Sequence, residues 1–155
     1  MNAPDTFWSF VEKQIAKHAY PAVSLISYAG PSTAYPYLLD IVRALLCHHQ
    51  KACGQCFDCQ SVYDASHPDW YDIKPENNLI KMDAVRDLAI ELSKKPHRGR
   101  AIVVTIRQAH TLNESAANAL LKIIEEPPSH LYFVLWTEDT ALVLPTLLSR
   151  CLLYT

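Results

Sequence analysis

Four cysteines, Cys47, Cys53, Cys56 and Cys59, stand in the spacing C-x5-C-x2-C-x2-C. A C-x2-C turn places two thiolates on one side of a tight bend, a bite suited to tetrahedral Zn²⁺. Four thiolates close the coordination sphere and leave no position open for chemistry, so such a site is structural. The competing readings are unligated thiols and redox-active ones. His48, His49 and His67 are candidate substitutes for one cysteine, but a site of four cysteines is simpler, and the histidines are expected at the surface. Cys151 lies far along the chain and reads as a small buried hydrophobe.

A second set of positions matters for what it lacks. A phosphate-binding loop needs G-x-x-x-x-G-K-[ST] between a strand and a helix: glycines to wrap the phosphates, lysine on the β/γ oxygens, a hydroxyl on Mg²⁺. The chain has a strand and a helix in that order, joined by Tyr28-Ala29-Gly30-Pro31-Ser32-Thr33-Ala34-Tyr35. One glycine survives, Pro31 removes an N–H donor, and no lysine occurs between Lys17 and Lys51. The run AIVVTI, residues 101–106, should carry acidic side chains at its tip to hold Mg²⁺ and polarise water; it carries Arg107-Gln108 instead. Both halves of a nucleotide site fail together, so no ATP is expected to bind and hydrolysis is not expected.

The elements that must position these residues follow from periodicity. Asp5 is expected to cap a helix running to about His18, with Phe7, Phe10, Val11 and Ile15 on one face. AVSLIS reads as a strand, YAGPSTAYP as a breaker-rich loop and YLLDIVRALLC as a helix. A cysteine-rich insert of about residues 47–67 follows. WYDIKP is a second strand, MDAVRDLAIELSKK an amphipathic helix, AIVVTI a third strand, NESAANALLKIIEE a helix stopped by Pro127-Pro128, LYFVLWT a fourth strand and CLLYT a fifth. Strands alternating with helices imply an α/β fold: a five-stranded, mostly parallel sheet flanked by helices, with ligands at the carboxyl ends of the strands.

Bulk properties narrow the class. Half of the 155 residues are hydrophobic and 19% are charged, which suits one globular domain spanning 1–155 rather than a disordered chain. The formal net charge of −2 gives no overall attraction to nucleic acid. No apolar run reaches the roughly 20 residues of a membrane span, and the first residues lack the order of a signal peptide. A cytoplasmic chain with reduced thiols is therefore expected.

The stretches ESAANALLKIIEEPP and LPTLLSRC resemble the helix and Ser-Arg-Cys segment of bacterial clamp-loader ATPase domains of the AAA+ class, and CGQCFDC, HPDWYDIKPE and MDAVRDL fall in that family's order and spacing. The resemblance runs from Val23 onward. It implies a P-loop-NTPase-like fold with an inserted zinc module whose ligands are the four cysteines. Within the family the chain sides with the delta-prime type, which has lost the phosphate loop and the acid pair, and not with gamma/tau. The resemblance makes Tyr28, Gly30, Thr33 and Tyr35 part of a remnant loop, puts Arg107 and Gln108 in place of the acids, and matches Thr137 to the position that senses the γ-phosphate in active relatives. It matches Arg150 to an arginine finger reaching a neighbouring subunit's ATP site. The implied partners are gamma/tau and delta subunits in a hetero-pentamer and, indirectly, a sliding clamp and primer-template DNA. The family's lid and collar domains are expected to lie outside residues 1–155. Two other readings stand beside it: a gamma/tau-type ATPase with a divergent loop, and a zinc-dependent nucleic-acid-binding module without a motor relationship.

Overall fold

A computed structural model describes residues 3–28, 31–98, 100–127 and 130–154, with side chains from 9 onward in the first stretch and from 35 onward in the second. Five strands form one sheet in the order β2-β3-β4-β1-β5: β1 Val23–Ser27, β2 Trp70–Ile73, β3 Ile102–Ile106, β4 Leu131–Thr137 and β5 Leu152–Tyr154. Every pairing is parallel. Parallel strands need crossovers, and the helices supply them: α1 Ala3–Ala16, α2 Pro31–Leu46, α3 Phe57–Tyr63, α4 Met82–Leu92, α5 Glu114–Ile124 and α6 Pro145–Leu148.

Side-chain alternation along the central strands divides the core into two layers. Ile102, Val104 and Ile106 of β3 and Leu131, Phe133 and Leu135 of β4 pack with α4 and α5 through Val85, Leu88, Ala117, Leu120 and Ile124. Val103, Val134 and Trp136 face the other way, onto Val11 and Ile15 of α1 and Leu38, Ile41 and Leu45 of α2. All five residues of β3 are buried, which explains a strand with no polar alternation before Thr105. Thr105 is tolerated there because its hydroxyl accepts from Trp70 Nε1 at 2.9 Å and donates to Asp72 at 2.8 Å.

Three expectations about elements are corrected. The first helix starts at Ala3, ahead of Asp5, and ends at Ala16; of the expected face Val11 and Ile15 are buried, while Phe10 is 44% exposed with its ring 5.9 Å from Tyr154. The supposed loop through Pro36 is mostly helix, because α2 begins at Pro31. Proline suits the first helical position, whose N–H has no intrahelical partner in any case. Of the remnant-loop positions, Gly30 lies outside the described residues. The cysteine-rich insert contains the short helix α3, whose N-cap is Cys56.

Candidate functional site

The carboxyl ends of β1, β3 and β4 lie in one parallel sheet, the edge at which such folds bind ligands, and side chains of this chain engage one another there. Arg107, one residue past β3, donates from Nε to Asp72 Oδ1 at 3.1 Å and from Nη2 to Asp72 Oδ2 at 2.5 Å. Asp72 sits on β2 directly across from Thr105, which is why the fork reaches it. The guanidinium also lies over the ring of Tyr35, 4.5 Å from its centroid, and 5.8 Å from that of Trp136. Tyr35 and Tyr28 flank Trp136 at 6.3 and 5.1 Å between centroids. Burial opposes the charge on Arg107, but Asp72 outweighs it and holds the guanidinium above its ordinary value. Burial, followed by nearby Glu138, raises the Tyr28 phenol.

The other strand-end positions are also satisfied internally. Gln108 adopts φ 50, a left-handed conformation that costs about 1 kcal/mol for a residue with a side chain. Its carbonyl in return accepts from the Thr111 N–H at 2.8 Å and the Thr111 hydroxyl at 2.7 Å, closing the turn after β3. Thr137 is fully buried, with His110 Nδ1 on its hydroxyl at 2.8 Å. These positions thus hold a cation paired with Asp72, a residue whose backbone carbonyl closes its own turn, and a buried hydroxyl bonded to His110.

Arg150 is placed quite differently. Leu147 of α6 is buried, Ser149 caps that helix, and Cys151 donates its S–H to the Leu147 carbonyl at 3.2 Å. Burial pushes the Cys151 thiol up to about 11, so it stays neutral and anchors the turn. Cys151 is half-buried, so the expectation of a small inward-packed residue is met in kind. Between these anchors Arg150 points outward, half exposed, with Glu125 Oε1 3.5 Å from Nη2. An exposed pair at this distance contributes about 1 kcal/mol or less and does not hold the guanidinium in one place.

The four cysteines form the other candidate site. Their Sγ atoms all lie within 4.8 Å of one another. Cys47 and Cys56 are 3.8 Å apart, and Cys53 and Cys59 are 4.0 Å apart. Tetrahedral Zn–S bonds of about 2.3 Å require sulfur separations of about 3.8 Å, so this donor set fits a metal ion. Backbone N–H groups point at the sulfurs, from His49 to Cys47 at 3.3 Å, Cys56 to Cys53 at 3.4 Å and Cys59 to Cys56 at 3.5 Å. Such donors favour thiolates. Burial works to raise the Cys47 thiol, but amides bring it down to about 6; amides of Gln55 and Cys56 lower Cys53, while burial raises Cys59. The guanidinium of Arg43, 4.2 Å over the Tyr63 ring, adds a positive charge beside the cluster.

His48 and His49 are exposed, but His67 is not the surface residue expected. It is 4% exposed, donates from Nε2 to Asp58 Oδ1 at 2.8 Å and accepts at Nδ1 from the Asp69 N–H at 3.0 Å. Asp69, fully buried, accepts from the N–H groups of His97 and Arg98 at 2.7 and 2.8 Å. The stretch His67-Pro68-Asp69 thus ties the cysteine module to the segment entering β3. Asp69→Ala strands two amide donors and is expected to destabilise the chain by about 3 kcal/mol in urea unfolding; a change below about 0.5 kcal/mol would show that these bonds carry no weight.

The family described as DNA polymerase III, delta subunit, matches residues 4–155. The chain belongs to that family. It is 42% identical over 117 residues to the DNA polymerase III subunit delta' of Escherichia coli K12, covering 72% of this chain and 35% of that protein. Against the subunit delta' of Yersinia pestis it is 40% identical over 157 aligned positions, covering 97% and 45%. This delta-family chain therefore spans less than half the length of these curated relatives. Among solved structures, a DNA polymerase III gamma subunit-related protein of Thermotoga maritima superposes with TM-score 0.65 at 23% identity, covering 99% of this chain and 45% of that one. The RuvB Holliday junction branch migration motor of the same organism gives 0.57 at 16%, covering 97% and 42%. These likenesses bear out the expected fold, a parallel five-stranded sheet flanked by helices, for this delta-family chain.

Sequence reasoning singled out the cysteines, Arg107, Gln108, Thr137 and Arg150, but not their neighbours Asp72, Asp58 and Asp69. Asp72 and Arg107 are paired by β-register across 35 residues, which no local pattern encodes. The run His-Pro-Asp ahead of a strand was the available signal for the buried latch.

Proposed function

We propose that the chain is the AAA+ domain of a non-hydrolysing, delta-prime-like subunit of a DNA polymerase III clamp loader. It acts as a rigid partner that supplies Arg150 to the ATP site of a neighbouring gamma/tau-type subunit. The assembly, with delta as a further subunit, would open a sliding clamp and load it on primed DNA. The rest of the relatives' length is assigned to the lid and collar domains, and the cysteine module, about residues 47–67, to a structural Zn²⁺ held by Cys47, Cys53, Cys56 and Cys59.

The observation that carries this reading is the arginine seated on Asp72 under Tyr35 in the strand-end cleft. A triphosphate with Mg²⁺ needs acids at the β3 tip and a lysine at the start of α2; a gamma/tau-type ATPase with a divergent loop would still need both, and neither is in the sequence. Arg150, by contrast, is outward-facing and planar, suited to bidentate contact with phosphoryl oxygens as charge develops on them. Titration calorimetry of the purified chain with Mg-ATP tests it: no heat attributable to binding is expected up to about 1 mM nucleotide, whereas a Kd of about 10 µM would overturn the reading.

A further inference from the structure

Lys51, Lys94, Lys95, Arg98 and Arg100 are five of the chain's 14 Lys and Arg residues, and neither residues 41–57 nor 92–112 contain an acid. The fold brings these two stretches together at the amino end of β3, the opposite end of the sheet from the strand-end cleft. Arg100 Nη1 donates to the His48 carbonyl at 3.2 Å, Arg98 Nε to Asp58 at 3.2 Å, and the latch at Asp69 fixes the backbone of residues 97 and 98. Lys51, Lys94, Lys95, His97 and Arg98 are exposed, and Lys94 pairs with Glu91. A chain of net charge −2 thus carries a local cationic strip beside the cysteine module.

An aromatic ring is exposed within this strip. Phe57 is 58% exposed, with the Arg98 guanidinium 4.4 Å over one face of its ring. Asp58 and Asp69 are buried and engaged, Asp58 pairing with Arg98 and Glu91 pairing with Lys94, so Lys51 and Lys95 are the exposed cations of the strip with no carboxylate partner among the described contacts. Cations that track a phosphate backbone, interleaved with open aromatic faces on which unpaired bases stack, are the two components of single-strand recognition.

We infer that this strip, Lys51, Lys95, Arg98 and Arg100 around Phe57, is a binding surface for single-stranded nucleic acid. It is separate from the Arg150 contact and does not depend on it. An acidic peptide would match the charge but make no use of the exposed Phe57 ring.

The test is fluorescence anisotropy of a labelled oligothymidylate of about 20 nucleotides with the metal-loaded chain, from about 50 to about 200 mM NaCl. A Kd of tens of micromolar at the lowest salt is expected, with log K falling at a slope of about −2, as for some three phosphate contacts. Lys51→Glu with Lys95→Glu, both exposed positions, should weaken binding about tenfold and flatten the slope. Phe57→Ala should weaken single-strand binding about tenfold, the loss of one stacked base, while leaving the salt slope unchanged. Unaltered circular dichroism and metal content identify variants that remain folded. A Kd above about 1 mM, equal displacement by polyglutamate, or wild-type affinity in both folded variants would each overturn the inference.

Discussion

Arg150→Ala in the full-length subunit is expected to lower DNA-stimulated ATP hydrolysis at the affected site of the reconstituted loader by about 10²-fold or more. The local structure says why so small a change should act so strongly and so selectively. Cys151 and Leu147 anchor the turn from inside, while the Arg150 side chain is half exposed and touches only Glu125 among the described contacts, at 3.5 Å. Truncation removes no core contact, so thermal unfolding of the subunit should be unchanged. Meanwhile the neighbour's transition state would lose a bidentate cation where charge accumulates, worth about 2.7 kcal/mol for each hundredfold in rate. Arg150→Lys should fall between the two, since an ammonium keeps the charge but not the planar fork. Unchanged turnover with Arg150→Ala would remove the finger assignment outright.

The second large effect concerns the cysteine module. Purified protein never exposed to chelator should contain close to one zinc per chain. Stripping the metal, or Cys56→Ala, should lower the melting temperature by roughly 10 °C. That figure follows from linkage: a metal present at about 10³ times its Kd adds about 4 kcal/mol to the native state, and each kcal/mol moves a domain of this size by about 2–4 °C. The effect should reach beyond the cluster, because Asp58 lies between two of the cysteines and bonds His67 and Arg98, and His67 in turn binds the backbone at Asp69. Burial raises the Cys59 thiol, while at Cys47 burial is outweighed by backbone amides, which lower it, so the four sulfurs within 4.8 Å of one another do not share one protonation state without a metal. A zinc content near zero, with a melting temperature insensitive to chelator, would remove the metal assignment.

Much of the fold was legible in the sequence, and the reasons are specific. LYFVLWT corresponds residue for residue to β4 because a strand buried on both faces is an unbroken apolar run bounded by breakers. NESAANALLKIIEE gave α5 because Asn113 caps it, accepting from the Ala116 N–H at 2.7 Å. The start of α2 was not legible: two prolines, Pro31 and Pro36, read as loop, yet the first stands where a helix tolerates proline best. The sites divide the same way. Types at fixed spacing, such as the cysteines and Ser149-Arg150-Cys151, announce themselves. Partners chosen by sheet register, such as Asp72 for Arg107, do not, and so the sequence could show that the acids were missing but not that Arg107 pairs with Asp72 over the Tyr35 ring. Lys94, Lys95, Arg98 and Arg100 stand within seven residues, but a net charge of −2 is a whole-chain sum and does not register such a local run.

The most direct test of the central claim, a strand end that takes no nucleotide beside a functioning outward arginine, is crystallographic. Crystals of the chain soaked with about 10 mM Mg-ATP, a concentration that would populate even a site of millimolar Kd, should show Arg107 still seated on Asp72 beneath Tyr35 and no triphosphate at the amino end of α2. An ordered triphosphate there, with Arg107 displaced from Asp72, would contradict the account.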